Sequence, residues 1–455
     1  MDETSVRSAA SAPAATPAPA AAGAQGAQAT ATETAPHRES SVKETIESIL
    51  IAFILAFIFR AFVVEAFVIP TGSMATTLMG AHMRFRCPDC GYRFEVNYSA
   101  RQGQGDDITI PSHAGPEQRR ERYMGQERIV LVNKVYDVRC PNCAYQIPTP
   151  DTTNPEVNYG DRILVLKYLY LFQQPRRWDV VVFKSPDDVP AYQQNYIKRL
   201  IGNPNESVVI LDGDIYIGKE GQDLTQYQIQ AKPRYVQESL WRNIYNNDYF
   251  PLGLARMDPW RQPWTVTEGS GWSGPAKGAT PTDVANTRKQ QRFFAFDNLS
   301  GKSTIKFDPN ANPTQAFTDY LVYDIEGPSV PPNPVSDLKL SFFYERRAGD
   351  GPLRLAMSKG PDVFTVQITN GRATMTRSTR GGAPTTIGET AVSTSGAVEV
   401  ELTNHDYQVN LRIGGKDVIT TTREQYHPDV KQLLADFEAG RPGAFPTVEI
   451  SAENQ

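Results

Sequence analysis

Ile49 to Phe59 is an unbroken run of eleven apolar residues, and it constrains this chain more than any other stretch. Arg60 interrupts the run and Ala61-Phe62-Val63-Val64 continue it. Eleven residues fall short of a bilayer core. Counted from Ile46 to Val64 the segment has nineteen residues, a helix of roughly 28 Å. Glu47 and Arg60 lie near its ends, where long side chains reach the interface. A buried core helix should keep a polar face, and Ile49–Phe59 has none. A cleaved leader should carry an Ala-x-Ala site after its apolar run, and no clear one follows. Residues 44–66 are therefore read as a retained transmembrane anchor in a lipid bilayer. The mixed flanking charges orient it only weakly. Residues 1–43, rich in Ala, Pro, Thr, Ser and Gly, hold too few large apolar side chains to offset ordering entropy and read as a disordered tail. Scarce Arg and the presence of acids argue against an amphipathic transit peptide.

The remaining chain is long enough for two or three domains, at 455 residues in all. A net charge of −5 gives no reason to propose a nucleic-acid partner. The four cysteines form two Cys-x-x-Cys pairs, which argues against a disulfide-rich secreted scaffold.

Nine residues lead from Val64 to Ser73, a tether of at most about 30 Å. Ser73 is thereby confined to a layer near the membrane. Glu65 to Pro70 reads as extended, since Pro70 biases Ile69 away from helix. Gly72 permits a tight turn before Ser73, in a context that is not the G-x-S-x-G elbow. A lone serine in a turn is usually structural. It gains meaning only with a base, and the candidate is Lys198. Alternation of Tyr196, Lys198 and Leu200 fits a strand pointing that set at a core. This predicts a desolvated Lys198 and a solvated Arg199 on the opposite face. A lysine must lose its proton to activate a serine hydroxyl, which apolar burial favours. The plainer reading makes Lys198 an ordinary surface charge.

Together these stretches resemble the bacterial type I signal peptidases, the membrane-bound Ser–Lys proteases that remove leader peptides. The matching residues are Glu65-Ala-Phe67-Val-Ile69-Pro70-Thr71-Gly72-Ser73-Met74 with Thr77-Leu78, then Gly160-Asp161-Arg-Ile163-Leu164-Val165, Trp178-Asp179-Val180-Val181-Val182-Phe183 and Tyr196-Ile197-Lys198-Arg199-Leu200-Ile201-Gly202-Asn203-Pro204. The resemblance implies Ser73 as nucleophile, Lys198 as general base and Thr71 as an oxyanion-hole donor, since threonine carries the needed O–H. It implies that Ile69, Met74, Tyr196 and Ile197 line shallow pockets for small residues at the cleavage site. It further implies signal peptides of secreted preproteins as substrates, no cofactor for catalysis, and a single-pass protein of the cell membrane with its catalytic domain on the extracytoplasmic side. Thr76 stands in place of the family's proline, and Asn205 in place of the Gly after Pro204. The family's final Gly-Asp-Asn box has no counterpart before Gln455, which leads to the expectation that the chain is incomplete at its C-terminus, the alternative being that the protein has lost part of its site. The rival reading is a catalytically inactive, membrane-tethered binding protein on a peptidase-derived core. A second rival, a self-cleaving Ser–Lys protease like the SOS repressors, lacks an anchor.

The expected fold is mainly β: a signal-peptidase-like catalytic core (67–78 and 157–224) behind one N-terminal transmembrane helix, with two insertions. The first, 79–156, carries Cys87-Pro-Asp-Cys90 and Cys140-Pro-Asn-Cys143. Paired Cys-x-x-Cys knuckles can set four thiolates around one structural Zn2+, giving a zinc-ribbon-like unit. Disulfides are the alternative in an exported domain. His82 and His113 read as spare surface histidines. The second insertion, 225–430, alternates in Leu338-x-Leu340-x-Phe342-x-Tyr344, Phe364-x-Val366-x-Ile368 and Val409-x-Leu411-x-Ile413, with turns at Asn370-Gly371 and Gly414-Gly415. This is a β-sandwich pattern, loosely resembling laminin-G and concanavalin-like jelly rolls. Such domains often bind a glycan or a protein ligand; a spacer is the plainer reading. Trp260, Trp264 and Trp272 suit either an aromatic surface or packing. Residues 431–455 read as a separate C-terminal segment.

Overall fold

The computed structural model describes residues 41–69, 71–98, 138–147, 156–186, 195–254, 259–274, 293–321, 323, 332–441 and 443–455, together with the backbone of short strands between 101 and 132. Most of the expected tail, and His113, lie outside the described residues. The chain divides into two units, residues 1–60 and 61–455.

Helix α1 spans Ser41–Ile58 and passes into a wider π-type turn, Phe59–Val63. Val42–Val63 is a helical stretch of 22 residues with mean hydropathy 2.3, long and apolar enough to cross a membrane. None of its most apolar window is buried, unlike the core helix of a soluble protein. The expected anchor ran to residue 66. The helix stops at Val63, because Val64–Val68 is taken into a strand, β1, by antiparallel pairing.

β1 pairs with β5 (Arg162–Leu166). Between them in sequence, β2 (His82–Arg86) sits centrally in a small sheet, flanked by β3 (Arg93–Asn97) and β4 (Val157–Asn158). Ala81, Met83, Phe94, Val96 and the four cysteines form a core of their own there. After the short helix α2 (Leu169–Phe172) comes an antiparallel pair, β6 (Val180–Lys184) with β7 (Asn195–Arg199). A three-stranded meander follows, β8 (Ser207–Leu211), β9 (Asp214–Gly218) and β10 (Gln228–Ile229), then α3 (Arg234–Leu240).

Two larger sheets share the main core. One has seven strands in the order β11 (Trp264–Glu268), β12 (Lys302–Phe307), β21 (Val448–Glu453), β14 (Leu353–Lys359), β15 (Asp362–Thr369), β16 (Arg372–Thr379) and β17 (Thr385–Ala391). The other has four: β13 (Leu338–Tyr344), β18 (Val398–His405), β19 (Gln408–Ile413) and β20 (Lys416–Thr420). The alternation seen in the sequence places Phe364, Val366 and Ile368 from one sheet, and Val409 and Leu411 from the other, in this core with no exposed surface. Each such side chain contributes about 1.5–3 kcal/mol of burial. Trp264 packs edge-on against Phe307 at 5.4 Å, and Trp272 lies 5.4 Å from Phe296, so both tryptophans pack against the core. The sequence sets residues 431–455 apart from the second insertion. They supply β21, hydrogen-bonded between β12 and β14.

A buried ion network joins the meander to this two-sheet unit. Lys359 at the end of β14 donates to Asp214 of β9 at 3.2 Å and to Asp337 at 2.8 Å, while Lys232 pairs with Asp406. Burial opposes the charge on Lys359, but the carboxylates of Asp337 and Asp214 outweigh it and hold its pKa well above the ordinary value. Lys359→Ala would strand these carboxylates. It should cost about 3–5 kcal/mol in denaturant unfolding, whereas Lys359→Met combined with Asp214→Leu should recover most of the loss.

Candidate active site

The turn that carries Ser73 is closed by one residue from a distant segment. Ile69 enters it donating its N–H to the carbonyl of Asp161 at 2.9 Å. Met79 leaves it donating to the Asp161 carboxylate at 2.8 Å, and Asp161 returns its own N–H to the Met79 carbonyl at 2.9 Å. Gly160 makes the approach possible: a Cβ there would sit 1.9 Å from the Ile69 carbonyl oxygen. Within the loop, Gly72-Ser73-Met74 form one 3-10 turn, with the Ala75 N–H donating to Gly72 at 2.8 Å. Thr71 precedes it in extended conformation (φ −125°, ψ 156°), and its hydroxyl does not cap the turn.

β7 brings Lys198 to this turn. Its Nζ donates to Ser73 Oγ at 2.8 Å, across 125 residues of sequence. The pairing expected from the sequence is thus made. The expected burial is not: Ser73 and Lys198 are both exposed. Alternation along β7 does put Lys198 and Arg199 on opposite faces, but the inward face belongs to Arg199. Its guanidinium donates to the Trp178 carbonyl and to Thr77 Oγ1, both at 3.0 Å, and burial pulls its pKa below the usual arginine value. Five donors in a planar fork can be satisfied in a half-buried position, so arginine tolerates the face that lysine was expected to occupy. Arg199 therefore ties β7 to the serine loop, a role the sequence did not signal.

Around the pair, Ile69 and Met74 are buried, at 1% and 8% exposure, while Tyr196 is 37% exposed and Ile197 half-buried. Tyr196 faces Phe183 across the β6–β7 pair, edge-on at 6.1 Å, on the same face as Lys198. The far side of the loop is held by α3: Thr76 Oγ1 donates to the Ser239 carbonyl at 3.0 Å, and Thr77 Oγ1 lies 3.2 Å from Ser239 Oγ. His82, read as a surface histidine, is buried with Nδ1 at 2.8 Å from the Gly80 carbonyl, because β2 lies inside the small sheet.

The four cysteines converge as the sequence suggested. All are buried and none is in a disulfide, with their sulfurs within 4.8 Å of one another. Cys87 Sγ lies 3.7 Å from Cys143 Sγ, and Cys90 Sγ 3.5 Å from Cys140 Sγ. A tetrahedron of sulfurs at Zn–S 2.3 Å has an edge of about 3.8 Å. The two knuckles fold alike: the N–H of Gly91 donates to Cys87 and that of Ala144 to Cys140, both at 2.8 Å, and both residues adopt positive φ (80° and 58°). Hydrogen bonds within the cluster pull the Cys87 and Cys90 thiols toward the thiolate form, while the same cluster and burial push those of Cys140 and Cys143 up, since four adjacent thiols do not all ionise without a cation between them. The donor set fits a zinc ion.

Comparison with known proteins finds similarity to signal peptidases over part of the chain. The family described as "Signal peptidase, peptidase S26" matches residues 143–272, which include Lys198. The signal peptidase I of Leptolyngbya laminosa is 36% identical over 85 residues, covering 18% of this chain and 41% of that protein. The probable signal peptidase I-2 of Synechocystis sp. is 32% identical over 115 residues, covering 25% of this chain and 50% of that protein. The signal peptidase I of Rickettsia conorii is 25% identical over 167 residues, covering 36% and 57%. The chain thus spans about half the length of the curated relatives it matches. Among solved structures, a carbohydrate binding module from Bacillus subtilis covers 42% of this chain and 91% of its own length at 11% identity, with a TM-score of 0.23, too low to assign fold or ligand.

The closure of the serine loop makes Gly160 intolerant. Gly160→Ala drives a Cβ into backbone rather than into a movable side chain, and should cost about 1–3 kcal/mol in thermal or denaturant unfolding. An unchanged midpoint would contradict the close approach.

Proposed function

We propose that this chain is a membrane-bound serine endopeptidase that removes N-terminal signal peptides from exported preproteins, with Ser73 as nucleophile and Lys198 as general base. The observation that carries the reading is the 2.8 Å contact between Lys198 Nζ and Ser73 Oγ, in a chain similar to signal peptidases. Lys198 takes the Ser73 proton as Oγ attacks the scissile carbonyl. Thr71 Oγ1–H and backbone N–H groups of the turn receive the oxyanion. Lys198 then protonates the leaving amine and deprotonates the water that releases the acyl-enzyme. Ile69, Met74, Tyr196 and Ile197 form the apolar walls that admit small side chains.

The exposure of Lys198 bears on this mechanism. Tyr196 and Phe183 form an aromatic shelf beside it, and in the described residues β7 pairs on one edge only, with β6. A leader segment laid along that free edge as an added strand would cover the shelf and withdraw Lys198 from water. The inactive binding protein is favoured by the same exposure, and a cleavage assay separates the two.

The lipid bilayer is the second partner. β1 follows the apolar helix directly, and its partner β5 and the neighbouring α2 expose Leu164 (73%), Leu171 (80%) and Phe172 (81%). These apolar side chains suit the bilayer interface, with the catalytic unit on the extracytoplasmic face. The cysteine cluster is a structural zinc site in a ribbon-like insertion, and the two-sheet unit is an inserted β-sandwich. The sulfur spacing, well beyond a disulfide bond of about 2.04 Å, supports metal over disulfides.

In a leader-peptide cleavage assay on membranes, Ser73→Ala and Lys198→Met should each lower kcat on the order of 10^4-fold. Wild type no faster than either variant would replace the enzyme with the binding protein. Metal analysis should find one zinc per chain in wild type and none in the double variant Cys87→Ser with Cys140→Ser; unchanged zinc would remove the ribbon.

A further inference from the structure

We infer that the four-cysteine site acts as a clasp on the catalytic turn, with Tyr323 as the positioning residue through which it presses on the peptide just ahead of Ser73. The inference rests on the reading of Ser73 as the nucleophile. Two arms lead from the knuckles to that peptide.

The first arm is β2. Cys87 follows its last residue, and Gly80 and Ala81 precede its first. Gly80 lies directly against the serine turn: a Cβ there would come within 2.4 Å of the Thr71 carbonyl carbon and 2.7 Å of Gly72 N. The second arm starts at the other knuckle. The carbonyls of Cys140 and Pro141 accept from Thr314 Oγ1 at 3.2 Å, and the Asn142 carbonyl accepts from Gln315 Nε2 at 2.8 Å. Gln315 is wholly buried. Eight residues further on, Tyr323 is 3% exposed and lies against Gly72, where an added Cβ would meet its ring at 2.4 Å. The Tyr323 hydroxyl accepts from Gly80 N–H at 3.2 Å, and its carbonyl accepts from Asn97 N–H, at the end of β3, at 2.7 Å. Both arms meet at Thr71–Gly72, the stretch that sets where Ser73 Oγ and its oxyanion donors point.

The cysteines also reach the opposite side of the turn. Asp89 Oδ1 accepts from Gly253 N–H at 2.9 Å, and Asn142 Oδ1 accepts from Asn246 N–H at 2.6 Å, both in the segment that follows α3 and its Ser239. A metal bonded to four sulfurs fixes the two knuckles relative to each other, and so fixes both arms at once. Without it, the direct tie between the sulfurs falls to weak thiol contacts, the knuckles are held together through the segment after α3 that both of them bond, and the backing of the turn loosens. A misplacement of the nucleophile by about 1 Å can cost 10^2-fold in rate.

The test uses the full chain in detergent or membranes and three readouts: zinc per chain, hydrogen exchange in the peptide covering residues 71–80, and kcat and KM for a leader peptide. The double variant Thr314→Val with Gln315→Leu cuts the second arm while leaving every sulfur in place. It should keep its zinc, yet raise exchange over residues 71–80 about 10-fold and lower kcat about 10-fold with KM little changed. Tyr323→Phe, which removes the hydroxyl that accepts from Gly80, should move both readouts in the same direction by less. Zinc-stripped wild type should show the raised exchange, and zinc added back should reverse it. Unchanged exchange over 71–80 in the double variant, or in stripped wild type, overturns the clasp. The endopeptidase reading is decided separately: wild type that cleaves nothing, yet shows zinc-dependent protection of the turn, sinks that reading and keeps the clasp.

Discussion

The arrangement around Ser73 depends on Asp161. One side chain and one peptide unit gather the entry strand at Ile69 and the exit at Met79, and the loop between them becomes a closed turn rather than an open connection. Without that closure the three-residue 3-10 turn has one hydrogen bond of its own, too little to offset the ordering of its backbone, and it would hang on the side-chain ties from Ser239 and Arg199. The closure requires the backbone of Gly160 to touch that of Ile69, which only a residue without a Cβ permits. Gly160-Asp161 stood out in the sequence as part of a resemblance. The structure supplies its physical reason.

The sequence was legible where a local rule decides the outcome. The run at Ile49–Phe59 is helical because its length and apolarity leave few other options. Phe364-x-Val366-x-Ile368 is a strand with those residues inward, and Asn370-Gly371 is the turn that follows it. Each knuckle is a short turn closed by its own backbone bond, and the two bring their four sulfurs into one cluster. Where a rule fixes only a relative property, the reading stopped short. Alternation along β7 separates Lys198 from Arg199, yet it does not say which face is covered. That is settled by Trp178 and Thr77, which offer the guanidinium two acceptors and come from elsewhere in the chain. His82 is buried although Arg84 and Arg86, on the same face of β2, are exposed, so alternation along the strand does not foretell it.

The long segments between the peptidase-like stretches take part in holding the serine turn. They would be spacers if the peptidase-like elements formed a self-sufficient core. Instead Ser239 bonds Thr76 and Thr77 across 163 and 162 residues, and Tyr323 reaches Gly80 across 243. β21 sits inside the seven-stranded sheet rather than trailing from it. Contacts at such separations bring loop-closure costs that grow only slowly with length, so a fold can use them freely. They leave no pattern in the sequence, because a single tyrosine or serine in an irregular segment has no periodicity to betray it.

An open lysine beside a serine also changes what the protein must supply for itself. A base held permanently in an apolar pocket carries a standing desolvation cost in the folded state, borne whether or not a substrate is present. Lys198 on an uncovered face avoids that cost. On the proposed reading, the missing cover is the substrate: a leader segment brings apolar surface of its own, and the shelf of Phe183 and Tyr196 offers it a place beside the amine. Binding energy from residues remote from the scissile bond would then be spent on drying the base. A peptide without enough apolar length would bind and leave the amine wet, so the same device that activates Ser73 would also select for leader-like sequences.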